Sequence, residues 1–342
     1  MRIAIVAPPW GPIPPDRYGG IEQAVDGLAR GLQEAGHQIL LYATGDSTCP
    51  VPLRWLLEEA EGNRMGFTVP ELRHVMAAYD TIAESEIDIV HDHTVLGPVY
   101  AEGYTDLPVV TTVHGPFNEE LIDLYGRVAH RVPLIGISEA QGRAAPQVPI
   151  ARVIHHGVDA DSFAVGEGGD YCLFLGRMGA DKGPHRAIAV ARMAGLPIKL
   201  AGKCREPWEH RFFDAEIAPL LGDDVEYMGE VDQAEKVDLL GGACATLFPI
   251  RWNEPFGLVM IESMACGTPV LAFNEGAAPE VVGDGETGYL CRDEAEMVDK
   301  VKHIGDIDRA ACRAAVEGYF SRERMIGEHV EFYEEILSKH KG

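Results

Sequence analysis

The chain has 342 residues, of which 46% are hydrophobic and 24% charged, and it carries a formal net charge of −25. That length accommodates two domains of ordinary size. The charge repels phosphate backbones and anionic lipid at long range, which argues against nucleic acid or a polybasic membrane dock. No apolar run approaches the ~20 residues a membrane-spanning helix needs, and the start, Met1 to Ala7, is too short for a secretion signal. A cytoplasmic protein is expected.

The first strand is read at 2–8, RIAIVAP. Beyond it Ile21, Ala24, Val25, Leu28 and Leu32 fall at spacings of three and four, one stripe on one helical face, with Gly36 placed as the stop. Gly19 and Gly20 end the loop PPWGPIPPDRYGG just before that helix. Free N–H groups at a helix start make a phosphate-sized niche, and a plain loop-to-helix turn is the other reading. Further strands are expected at 38–44, 87–93, 108–114 and 134–138. In HDH (91–93), strand alternation sends His91 and His93 to one face and Asp92 to the other. No third ligand follows at a recognisable spacing, so a polar cluster at a strand end is preferred to a metal site. His114 also ends a strand, at the edge where open α/β sheets bind ligands; a ligand contact and a structural histidine are both open. The DAD at 159–161 has the form of a metal-binding DxD motif, but its setting fits turn capping better.

The strand series then restarts at 171–177, 197–203, 225–231, 245–250 and 268–274. The stretch FAVGEGGD (163–170) reads as a linker. The expectation is therefore two doubly wound α/β domains, residues 1–164 and 165–321, with a ligand cleft between facing strand ends. A last helix at about 322–339, within the closing segment 322–342, could pack on either domain. Seven scattered cysteines with no CxxC argue against a zinc knuckle or a disulfide framework.

Two stretches could carry chemistry. GRMGADKG (176–183) follows a strand and precedes a helix; its glycines let backbone N–H groups approach an anion, and Arg177 and Lys182 add two cations. This is a candidate diphosphate clamp, though neither a Walker A loop nor a GxGxxG. NEPFGLVMIE (253–262) puts Glu254 in a loop and Glu262 on the second turn of a helix beginning near Leu258, with N–H groups of Phe256, Gly257 and Leu258 free at its start. A general acid and base would need to flank one bond. One carboxylate on a loop and one along a helix would touch different parts of an extended ligand instead.

Together, GRMGADKG and EPFGLVMIE resemble the paired signatures of the retaining glycosyltransferases of family four, the second being their Glu-x7-Glu motif. The Gly-Gly loop, HDH, VHG (113–115), HGVD (156–159), GTPVLA (267–272) and GETGYL (285–290) extend the resemblance along nearly the whole chain, most particularly toward members that work in oligosaccharide-antibiotic assembly. The resemblance implies a GT-B fold, two tandem Rossmann-like domains. It implies that Arg177, Lys182 and the Gly20 N–H hold the donor diphosphate, with Gly19 and Gly176 in the same loops. It further implies that Glu262 binds the ribose, and that Glu254, with the N–H groups of Phe256, Gly257, Leu258 and Val259, holds the sugar. His114 would stand beside that sugar, and Gly229, Glu230 and Val231 would line the nucleobase. It implies metal-independent transfer with retention, the donor phosphate taking the acceptor's proton. His156 departs from the family's usual Asn, which bears on the acceptor rather than the donor.

The expected activity is transfer of a sugar from a nucleotide-diphosphate donor, uridine before guanosine or deoxythymidine, to a soluble small-molecule or oligosaccharide acceptor in antibiotic or polysaccharide biosynthesis, with no cofactor. Residues 1–160, with 10 Arg, no Lys and 21 acids (net −11), speak against a lipid surface. A sugar-nucleotide epimerase of the same twin-Rossmann architecture is the alternative.

Overall fold

The computed structural model describes residues 1–340, and they divide into two compact units. The first comprises 1–157 together with the chain from 322 onward, the second 158–321. Among the described residues no helix is long and apolar enough to cross a membrane.

The first unit is built on seven strands: β1 (Arg2–Val6), β2 (Gln38–Tyr42), β3 (Leu53–Arg54), β4 (Ile89–Asp92), β5 (Val109–Val113), β6 (Leu134–Gly136) and β7 (Ile150–Val153). They lie in the order β3-β2-β1-β4-β5-β6-β7 and every pairing is parallel. A central parallel strand is covered on both faces, and β1 shows why it reads as a continuous apolar run. Ile3 and Ile5 pack with Val25, Leu28 and Leu32 of helix Gly20–Glu34. Ala4 and Val6 turn the other way, to Val75, Tyr79 and Ile82 of helix Thr68–Ala83. The closing helix Arg322–His340 joins the first of these layers through Met325, Ile326, Phe332 and Tyr333.

The second unit has β8 (Cys172–Leu175), β9 (Ile198–Ala201), β10 (Val225–Tyr227), β11 (Ala245–Phe248), β12 (Val270–Phe273) and β13 (Gly288–Cys291). Their order is β10-β9-β8-β11-β12-β13, again all parallel. In each sheet the order reverses once, at β1/β4 and at β8/β11, and the carboxyl ends of such a strand pair open the crevice where doubly wound folds bind ligands. The strands read from the sequence are all present, two to four residues shorter. β3, β7 and β13 were not anticipated. The glycine-rich 163–170 lies within the second unit and is pinned there: Gly166 N–H donates to the Cys266 carbonyl and Gly168 N–H to that of Gly241. Its glycines serve contact, since a Cβ on Gly166 would stand 2.2 Å from the Gly241 carbonyl oxygen.

The carboxyl end of the first sheet holds a cluster of histidines. The His91 and His93 rings lie 4.1 Å apart, tilted by 34°, on one face as alternation requires. His93 hydrogen-bonds His114, which lies parallel to His156 at 5.6 Å. His329, from the closing helix, stands 5.4 Å from His91. His91 is anchored at both nitrogens, to the Tyr333 hydroxyl at 2.6 Å and the Thr112 hydroxyl at 2.7 Å. Burial, then the neighbouring histidines, hold His91, His93, His114 and His156 well below the ordinary histidine range; burial brings His329 down to about 4. Asp92, between them in sequence, points away and accepts from Tyr79, Thr94 N–H and the Thr94 hydroxyl; burial raises it to about 6.

Tyr333→Phe leaves a buried nitrogen of His91 without its partner and is expected to cost about 1–3 kcal/mol, read from urea unfolding of the intact chain. The histidines also set a pH dependence. Their folded values lie below the unfolded value of about 6.5, so the stability they permit is fully present above that pH. As pH falls from about 6.5 toward 4 the unfolded chain takes up protons that the folded chain refuses, and stability drops. Asp92 opposes this, gaining a proton first in the folded state, but it is one group against five. The melting temperature should therefore fall between pH 7 and pH 5, and His156→Asn should flatten that slope.

Candidate active site

The two stretches singled out in the sequence follow the two strands that flank the reversal of the second sheet. Gly176–Gly183 leaves β8, and the loop from Pro249 to Gly257 leaves β11. The fold brings them together: Lys182 Nζ lies 2.5 Å from a carboxylate oxygen of Glu254 and 5.0 Å above the Trp252 ring. Both side chains are largely buried, at 15% and 14% exposure. Glu254 is held by its backbone. Its N–H donates to Trp252, its carbonyl accepts from Ala277, and Gly276 passes so close that a Cβ there would stand 2.6 Å from Glu254 N. Gly257, at φ +87°, takes the left-handed turn that starts helix Leu258–Ala265, as the sequence placed it. Phe256 precedes the helix and is buried.

Arg177 is set between acids. It bonds Asp181, and its Nε lies 3.8 Å from the fully buried Glu209, with its guanidinium 4.9 Å from the Trp208 ring. Glu209 accepts the N–H groups of Arg205 and Glu206 on one oxygen, and its other oxygen stands 3.7 Å from Lys203. A carboxylate this deep stays charged only with such company. Glu262, 3% exposed, receives Lys236 at 2.6 Å on one oxygen; its second oxygen has no protein partner among the described residues. At the end of β10, Gly229 takes a left-handed turn and accepts the Gly202 N–H, while Glu230 is gripped by both arms of Arg205 and Val231 is buried. Lys236, Lys203, Glu209, Trp208 and Trp252 were not singled out in the sequence. Each is a lone residue with no spacing to announce it, and only the packing assigns it a partner.

In the first unit, Gly20 opens helix Gly20–Glu34 behind Gly19. The carboxylate of Glu22 packs against that turn, for a Cβ on Gly19 would meet its oxygen at 2.6 Å. The niche expected for phosphate thus has the Glu22 carboxyl group beside it. His114 follows β5, with Nε2 on His93 and its other nitrogen without a protein partner among the described residues. Asp159 caps a short turn over Ala160–Ser162, as capping predicted. Among the described residues no group of three or more His, Cys, Asp or Glu is placed to hold a metal ion.

Comparison with known proteins adds to this geometry. Residues 18–162 match the model of Glycosyltransferase Family 4, and 159–313 that of Glycosyl transferases group 1. The chain is 27% identical to a phosphatidyl-myo-inositol mannosyltransferase of Mycolicibacterium smegmatis, over 85% of this chain and 80% of that protein. It is likewise 27% identical to a glycogen synthase of Mycobacterium tuberculosis, over 92% and 88%. Among solved structures, HepE of Anabaena in complex with UDP and glucose superposes with a TM-score of 0.79 at 18% identity, over 98% of this chain and 100% of that one. AviGT4, a glycosyltransferase involved in avilamycin A biosynthesis, does so with 0.73 at 24%, over 99% and 98%. These likenesses are of fold. Two parallel α/β units, each matched by its own glycosyltransferase model, place the chain among the GT-B glycosyltransferases of group 1, the family 4-like type.

Proposed function

We propose that the protein transfers a sugar, with retention, from a nucleotide-diphosphate donor, UDP-linked in the first instance, to a soluble small-molecule or oligosaccharide acceptor. The observation that carries this is the Lys182–Glu254 pair at the β8/β11 reversal. A bare anion arriving at Lys182 would strip Glu254 of its partner and leave a largely buried carboxylate uncompensated. A nucleotide sugar compensates both groups, its phosphate receiving Lys182 and its sugar hydroxyls donating to Glu254. The same logic fits Glu262, whose second oxygen is available to ribose hydroxyls. Arg177 would share the diphosphate, and both cations would stabilise the charge that grows on the leaving group. Gly229 to Val231 would border the base. His114, Gly19 and Gly20 are the first unit's candidates for contact with the donor. The HepE complex, which holds UDP and glucose on the same fold, supports the choice of uridine.

Millimolar UDP should raise the melting temperature by several degrees, since a ligand at 100 times its dissociation constant adds about 2.7 kcal/mol. No shift with any nucleoside diphosphate or its sugar would remove this reading. Arg177→Ala and Lys182→Ala should each slow UDP release from the turned-over UDP-sugar by about a hundredfold or more, with circular dichroism unchanged. Near-normal turnover in both would show that the clamp lies elsewhere.

A further inference from the structure

The His93–His114 pair poses a question of proton placement that decides what His114 can offer a ligand. His93 Nδ1 and His114 Nε2 are 2.8 Å apart, and the ring planes lie within 30° of each other. Burial keeps both rings uncharged at neutral pH, so their bond holds a single proton. If His114 donated it, His93 would carry its own proton on Nε2. That nitrogen is buried and has no hydrogen-bond partner. The small cavity His93 lines has Ala24, Leu28, Ile135 and Ile154 in its wall together with Thr112, His156 and His329, and none of the described residues hydrogen-bonds His93 Nε2. If His93 donates from Nδ1, the buried Nε2 is instead a bare lone pair. Buried donors without acceptors are rarer in proteins than under-satisfied acceptors, and the nitrogen that is bonded sets the tautomer of its ring.

We propose that His93 is a positioning residue: it donates its Nδ1–H to His114 Nε2 and holds His114 as the uncharged Nδ1–H tautomer. The one nitrogen of His114 without a protein partner thereby becomes a fixed hydrogen-bond donor. Resting on the donor-site reading above, its acceptor is an oxygen of the bound sugar. His156, parallel to His114 within 9°, holds the plane in which that N–H points. In this arrangement His114 takes no proton from the acceptor. It supplies direction, and the buried His93 Nε2, which has no acceptor among the described residues, disfavours the opposite tautomer.

The test reads the tautomer directly. Long-range ¹H–¹⁵N correlation spectra of the full-length, ¹⁵N-histidine-labelled protein at pH 7.5 should show His114 protonated at Nδ1 and bare at Nε2, with His93 the same. The opposite tautomer, or an imidazolium at His114, overturns the proposal. His93→Leu should leave His114 with an exchange-averaged tautomer pattern. It should lower kcat for UDP release from UDP-glucose about tenfold, the worth of one well-placed hydrogen bond, with KM little changed. His93→Asn, which keeps an N–H donor where Nδ1 stood, should restore both the tautomer and the rate, and it also covers the case in which the leucine variant does not fold. A fixed His114 tautomer in His93→Leu, or a His93→Asn variant no better than leucine, would show that His93 does not set the proton. Should UDP-glucose fail to stabilise the unaltered protein, the donor reading falls while the spectra still decide the tautomer.

Discussion

Lys182 and Glu254 are each drawn largely out of water, and each has the other as its counter-charge 2.5 Å away. Much of the second unit's design follows from that pairing. The reversal between β8 and β11 sends successive crossovers to opposite faces and frees both carboxyl ends, so that two loops distant in sequence can deliver one charge each. Gly257 turns the chain into its helix directly after the carboxylate, and Gly276 lets a second backbone run against Glu254 without a side chain between them. A well-compensated pair at a ligand edge is also a chemical filter. It resists partners that answer one charge and admits those that answer both.

The two units solve the same problem, ionisable groups out of water, in opposite ways. The second keeps its groups charged and pairs them: Lys182 with Glu254, Lys236 with Glu262, Arg177 with Asp181 and Glu209. The first gathers five histidines at its sheet edge and keeps them uncharged, using them as hydrogen-bonding rings. One arrangement suits a site that must meet a charged ligand. The other suits a site that must present directed neutral donors. The chain's surplus of negative charge belongs to neither.

What the sequence made legible follows from how local each signal is. Strands such as β1, covered on both faces, announce themselves as unbroken apolar runs. β3 is two residues long, β7 is a partly exposed edge with an arginine in its middle, and β13 begins with glycine, so none offers such a run. The glycines of 163–170 imitate a linker because composition cannot separate a glycine used for flexibility from one used for close approach to Gly241. The helix at 258–265 and its two glutamates were legible because turn, helix start and carboxylate spacing all lie within ten residues. Lys236 and Glu209 were not, since their meaning is a contact across the fold. HDH could be read as a cluster at a strand end, but His156, His329 and Tyr333 enter it only through the closing helix and the end of the sheet.

That helix has a consequence for how the chain is made. The second unit, 158–321, is one uninterrupted stretch, whereas the first is assembled from two segments, one on either side of it in sequence. On a ribosome, which releases the chain from its amino end, the sheet that begins with Arg2 waits for Met325, Phe332 and Tyr333 until the whole of the second unit has been made. The face of that layer which the helix covers, and the His91 Nδ1 that Tyr333 bonds, stay open for that interval. The unit begun first is the last to be closed, and its completion certifies that everything between has been translated.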